Sequence, residues 1–144
     1  MTTIIASVSQ QSMASDSWGT IEPLPFALIK KIYRLKNGEL LGFAGDVDNA
    51  YCFIDWCNKG FDLKNKPTFN EDRMIALILK KTHITLYTKS FIPLRLHNDF
   101  YAIGTGADAA TAAMICGKSL KDSIEVACKV DYAYSGLPAV VKKL

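Results

Sequence analysis

The sequence predicts an α+β layered sandwich, and three observations carry that prediction. A β-branched strand begins almost at residue 1, a hairpin signal at Asn37-Gly38 introduces a second group of strands, and the helix-periodic segments are segregated from the strands. At 144 residues the chain has the size of a single domain, residues 1–144, large enough to bury a core without disulfides or a structural metal. Its apolar share of 49% and charged share of 22% exclude a disordered chain.

Thr3-Ile-Ile-Ala-Ser-Val8 reads as the opening strand and Ser12 to Ser17 as its antiparallel partner. Lys30-Lys-Ile-Tyr-Arg-Leu35 alternates polar and apolar residues. Asn37-Gly38, read as a type I′ turn, then leads into Glu39-Leu-Leu-Gly-Phe-Ala-Gly45. Val47, Ala50, Tyr51, Ile54 and Cys57 recur at helical spacing up to a stop at Gly60. Phe61 to Asn70 reads as a loop or a short helical remnant, and strands follow at Met74 to Lys80, Thr82 to Thr88, Phe91 to Leu96 and Phe100 to Gly104. Ala107 to Cys116 is a small, alanine-rich helix. Ser119 caps a last one with the apolar stripe Leu120, Ile124 and Ala127, and Asp131 to Leu144 is a turn with a short apolar tail.

The net charge of +3 names no partner, and Lys30-Lys31, Lys80-Lys81 and Lys142-Lys143 are scattered pairs without a basic, aromatic-interleaved stripe, so nucleic-acid binding is not expected. No apolar run approaches the roughly 18 residues of a membrane span, and no secretory signal is apparent. A cytoplasmic protein without membrane contact is the expectation. Cys52, Cys57, Cys116 and Cys128 form no CxxC pair and are expected to be small buried hydrophobes in a reducing compartment.

Chemistry is concentrated at the start of the chain. Once Met1 is removed, Thr2 would carry both a nucleophilic hydroxyl and, in its own α-amine with an ordinary pKa of roughly 7.7–8.0, the base that accepts the hydroxyl proton.

Around Thr2 the sequence resembles the HslV and proteasome β-subunit family over nearly its whole length. The resemblance rests on Met1-Thr-Thr-Ile-Ile5, Ala14-Ser-Asp-Ser17, Lys30-Lys-Ile-Tyr-Arg-Leu35, Gly42-Phe-Ala-Gly45, Asp72-Arg-Met74, Asp99 to Gly106 and Ser135-Gly136, in one order along the chain. It implies a four-layer αββα sandwich of the N-terminal-nucleophile hydrolase type. The stretch between the first helix and Asp72 is too short for the family's second outer helix, so that outer helical layer is expected to be reduced.

The same resemblance implies roles for residues. Lys31 would be the active-site lysine whose charge lowers the pKa of the Thr2 α-amine. Adjacent strand residues face opposite sides, so only one of Lys30 and Lys31 can point into the site, and the register of Ile32 to Leu35 selects Lys31. Asp16 would orient the lysine and the terminus, and the Gly45 amide would stabilise the oxyanion. Thr105 stands where the family usually has Ser, keeping the hydroxyl and adding a methyl. Asp131 corresponds to the acidic residue ahead of the Ser-Gly turn. Backbone carbonyls of Val130, Ala133 and Gly136 would be the ligands of a monovalent cation such as Na+, and no other cofactor is implied.

The activity implied is that of a threonine-type endopeptidase. It would act within a homo-oligomeric ring, on unfolded polypeptide delivered by an ATP-dependent unfoldase. Two other readings fit the same residues: a non-catalytic assembly or regulatory protein that retains Met1, and a small-molecule amidase using the same nucleophile.

Overall fold

The computed structural model describes residues 2–21, 24–69, 74–132 and 135–144. Met1, most of the Asp72-Arg-Met74 motif and the candidate ligand Ala133 therefore lie outside the described residues.

Two antiparallel sheets face each other. The first is built from β1 (Thr3–Ser7), β2 (Ser12–Ser15), β10 (Phe100–Gly104) and β11 (Val140–Lys143), in the order β10-β1-β2-β11. The second runs β5 (Ile32–Arg34), β6 (Leu40–Ala44), β7 (Ile75–Leu79), β8 (Ile84–Thr88), β9 (Leu94–Leu96), with neighbours paired in chain order. A separate ribbon joins β3 (Trp18–Ile21) to β4 (Leu24–Leu28). The strand period of two decides what each sheet face meets. On β1, Ile4 and Ala6 point into the inter-sheet core with Met13, Leu40, Leu77 and Ile84, whereas Ile5 points outward to the helices. On β6, Leu40 and Ala44 face inward while Leu41 and Phe43 face outward. Both faces are covered, which is why β1, β2 and β6 are buried at every residue.

The outer layers are helical and antisymmetric in weight. α2 (Ala107–Ile115) and α3 (Leu120–Val130) pack together over β1, β2 and β10 through Ala110, Met114, Leu120, Ile124 and Ala127. α1 (Val47–Asn58) covers the second sheet, its Phe53 fully buried among Phe43, Trp56, Tyr87 and Phe91. Among the described residues only the 3-10 turn Leu63–Asn65 accompanies α1 on that side. The result is the four-layer αββα sandwich with a reduced outer layer that the sequence leads one to expect.

Several local expectations are corrected. The β5–β6 connection is not a two-residue type I′ turn. Leu35 and Glu39 close a three-residue loop in which the Gly38 amide bonds back to the Leu35 carbonyl, and Gly38, at φ 90°, takes the bulge position. The buried stripe of α1 is Ala50, Phe53, Trp56 and Cys57, so Tyr51 points to solvent, because the two large aromatics bury more apolar area than the face Tyr51 shares. Cys57 and Cys128 are buried as expected, but Cys52 lies on the solvent side of α1 and Cys116 caps α2, and both are exposed. β9 starts at Leu94 because Phe91 turns, at φ 57°, to bury its ring beneath α1. The tail forms β11 against β2, and the β3–β4 ribbon is an addition to the expected strands.

Candidate active site

The site is assembled where β1 begins. β1 lies between β10 and β2, with Thr3 opposite Gly104, and the Thr2 carbonyl accepts the Thr105 amide at 2.9 Å. The glycines flanking Thr105 make this docking possible. A Cβ on Gly104 would stand 1.7 Å from the Thr2 carbonyl oxygen, and one on Gly106 would stand 2.2 Å from the Thr3 hydroxyl. Both threonines are buried.

Asp16 follows the end of β2 and is wholly buried. Its Oδ1 accepts the Thr3 amide at 2.8 Å and the Lys31 ammonium at 2.7 Å, while Oδ2 accepts the amides of Trp18 at 3.1 Å and Gly136 at 3.2 Å. A buried carboxylate needs this degree of satisfaction to stay in place. Because one oxygen serves both the Thr3 amide and Lys31, the lysine head group is held beside the peptide that joins Thr2 to Thr3. Lys31 is buried and Lys30 exposed, the latter with its ammonium 5.2 Å from the centre of the Tyr33 ring; both precede β5, so the bond from Lys31 to Asp16, and not strand alternation, accompanies this division. Burial holds the Lys31 pKa below its ordinary 10.5; the Asp16 charge and hydrogen bond oppose that shift without cancelling it.

On the other side of β1, Asp131 ends α3, and its Oδ2 accepts two hydroxyls, from Thr105 at 2.5 Å and from Ser135 at 2.9 Å. Ser135 is in turn 2.7 Å from the Thr3 hydroxyl. Thr105 is exposed, so its extra methyl meets solvent rather than a packed wall. Gly45 stands at the end of β6, exposed, with φ 147°. It lies two residues beyond Phe43, whose amide bonds to the Lys31 carbonyl at 3.3 Å, so strand continuation places it near the start of β5. The buried Cys128 thiol of α3 lies within electrostatic reach of Asp16, Lys31 and Asp131, and burial first, then the carboxylates, pushes it up to about 11.

The structure thus joins Thr2 to Thr105, Asp16 to Lys31, and Thr105 to Asp131 by direct bonds, and aligns Gly45 through the sheet alone. Ser135 and Thr3 are additions to the residues picked out from sequence. Ser135 read only as a turn residue, though it lies one helical turn beyond Asp131 and its amide bonds to the Asp131 carbonyl. Thr3 read only as the start of a strand. Of the carbonyls expected to hold a monovalent cation, that of Gly136 accepts the amide of Ser17, just beyond β2, at 2.9 Å. Val130 ends α3, and Ala133 lies outside the described residues.

No family model matches the sequence, and no curated protein does. Solved structures do. HslV from Trypanosoma brucei superimposes with a TM-score of 0.72 at 18% identity, covering 97% of this chain and 97% of that one. Thiobacillus denitrificans BPH in complex with epoxomicin gives 0.71 at 17% identity, covering 99% and 98%. A second structure of Thiobacillus denitrificans BPH gives 0.67 at 16% identity, covering 99% and 97%. At such identities the likeness concerns architecture, and it spans almost the whole chain: this protein has the HslV and proteasome β-type fold.

Proposed function

We propose that the chain is an amide hydrolase of the threonine endopeptidase type, with Thr2 as nucleophile after removal of Met1. The observation that carries this reading is the single carboxylate oxygen of Asp16 shared by the Thr3 amide and the Lys31 ammonium.

In this reading the Thr2 hydroxyl oxygen attacks the substrate carbonyl carbon while the Thr2 α-amine takes the hydroxyl proton. The nearby Lys31 charge keeps that amine neutral and able to accept it. The carbonyl oxygen, now negative, is met by the Gly45 amide. As the tetrahedral intermediate collapses, the C–N bond breaks, the α-ammonium returns its proton to the leaving amine, and an ester to Thr2 remains. A water then attacks the ester carbon and gives a proton to the α-amine. The C–O bond to Thr2 breaks, and the hydroxyl regains its proton.

The same reading takes unfolded polypeptide as substrate, a homo-oligomeric ring as the working form and an ATP-dependent unfoldase as partner, in the cytoplasm. It is supported by the likeness to HslV. No helix among the described residues is long and apolar enough to cross a membrane.

The test is intact-mass spectrometry of protein from its own host, before and after a peptide epoxyketone, whose two adjacent electrophiles need a hydroxyl and a free amine together. Loss of the Met1 mass and one adduct per chain, absent from Thr2→Ala, is the expected result. Retained Met1 with no adduct would overturn the peptidase and amidase readings alike and leave the non-catalytic one. If the adduct forms, turnover of an unfolded polypeptide separates peptidase from small-molecule amidase.

A further inference from the structure

The hydroxyls of Thr3, Ser135 and Thr105 form a chain on Asp131 whose proton direction follows from counting. An ionised carboxylate has no proton to give, so Thr105 and Ser135 both donate to Asp131 Oδ2. Ser135 has one proton, and that bond uses it. In the 2.7 Å contact between Thr3 and Ser135, therefore, Thr3 must be the donor. The chain runs from Thr3 to Ser135 to Asp131, and Thr105 donates to Asp131 from the other end.

A second feature shows that the Thr3 hydroxyl is built in. Thr3 is fully buried, and the slot its hydroxyl occupies exists only because residue 106 is glycine; a Cβ there would also come within 3.2 Å of the Ala127 methyl. Thr3 also has its amide on Asp16 at 2.8 Å and its carbonyl accepting the Asp16 amide at 3.0 Å. One residue, next in sequence to the proposed nucleophile, thus bonds to both carboxylate clusters: Asp16 through its backbone and Asp131 through its side chain and Ser135.

We infer that Thr3 is a positioning residue for the Thr2 α-amine, holding Ser135 so that its remaining lone pair, and those of Thr105, present only acceptors to the start of β1. This inference rests on the nucleophile reading of Thr2. An acceptor-only wall receives an N–H and offers no proton to the amine lone pair, which stays available for the Thr2 hydroxyl. The charged and titratable groups around this point are Asp16 after β2, Lys31 before β5, and Cys128 and Asp131 on α3. A change confined to the Thr3 side chain keeps the Thr3 amide on Asp16 and the Lys31–Asp16 bond, and reaches Asp131 only through Ser135.

Thr3→Val keeps the shape and the β-branch and removes only the donor, and Thr3→Ser restores it. In the processed, active protein, Thr3→Val is expected to lower kcat by about tenfold, the worth of one hydrogen bond, with KM little changed. Ser135, relieved of one donor, accepts more strongly from the ammonium, so the acid limb of kcat moves to higher pH. Thr3→Ser should return both kcat and the limb towards wild type. Thermal unfolding of each variant checks that the fold survives. If Thr3→Val keeps the wild-type kcat and pH limb while Thr2→Ala is inactive, this inference fails and the nucleophile stands. If wild-type protein takes no adduct, both fail together.

Discussion

The Lys31 ammonium and the Asp16 carboxylate form a buried ion pair of 2.7 Å, with side chains 4% and 0% exposed. Taking two charges out of water costs several kcal/mol for each ion unless further bonds satisfy them. Asp16 meets that condition with three backbone amides besides Lys31, drawn from Thr3, Trp18 and Gly136. Those amides come from the first strand, the start of the β3–β4 ribbon and the turn before β11. The pair is thus the point at which the first strand, the ribbon, β5 and the last turn are fastened to one another beside Thr2.

Asp16→Asn should therefore be among the most damaging single-atom changes in the chain. An amide has one acceptor oxygen where the carboxylate has two, and its NH2 group would face either Trp18 and Gly136 or Thr3 and Lys31, all donors. The loss should be about 3–5 kcal/mol, the range for a buried pair deprived of one partner. Urea unfolding of both proteins measures it. A difference below about 1 kcal/mol would mean that the pair behaves as an exposed one.

Lys31 should make stability rise with pH in the alkaline range. Its folded pKa lies below 10.5, so between the folded value and 10.5 the unfolded chain binds more protons than the folded one, and unfolding free energy increases with pH. Cys57, raised to about 12, acts in the opposite sense above its ordinary 9.0, because there the folded state holds the extra proton. Lys31→Met separates the two. The wild-type unfolding free energy minus that of Lys31→Met should climb as pH rises towards 10.5, and a flat difference would show that burial does not lower the Lys31 pKa.

How far the sequence disclosed this structure depended on range. Strands with two covered faces, such as Ile4 to Ser7 and Leu40 to Ala44, announce themselves by composition, and the Ser119 cap does so by bonding the Asp122 amide within its own turn. The rotation of α1 was not legible, because Phe53 and Trp56 are chosen by rings on β6, β8 and Phe91, far away in sequence. At the site, Asp16 and Lys31 stood out as charges in strand-like segments. Thr3 and Ser135 did not, since 132 positions separate two neutral hydroxyls whose meaning lies in their contact.

Gly104→Ala tests whether the approach of β10 to Thr2 is sterically fixed. Gly104 has φ 97°, and an added methyl would lie 1.7 Å from the Thr2 carbonyl oxygen and 2.6 Å from its carbon, both backbone atoms that can move only if the start of β1 moves. Gly60 supplies the control, with φ 100° and nothing within 4 Å of the added atom. Gly60→Ala should cost only the left-handed backbone penalty, about 1–2 kcal/mol. Gly104→Ala carries the same penalty and adds the loss of the bond between the Thr2 carbonyl and the Thr105 amide, about 1–3 kcal/mol more if these buried groups part. It should also abolish the epoxyketone adduct, since Thr2 would no longer be held against β10, whereas Gly60→Ala should react as wild type does. Equal stability losses in the two variants, measured by urea unfolding, would show that β1 can retreat from β10 without cost.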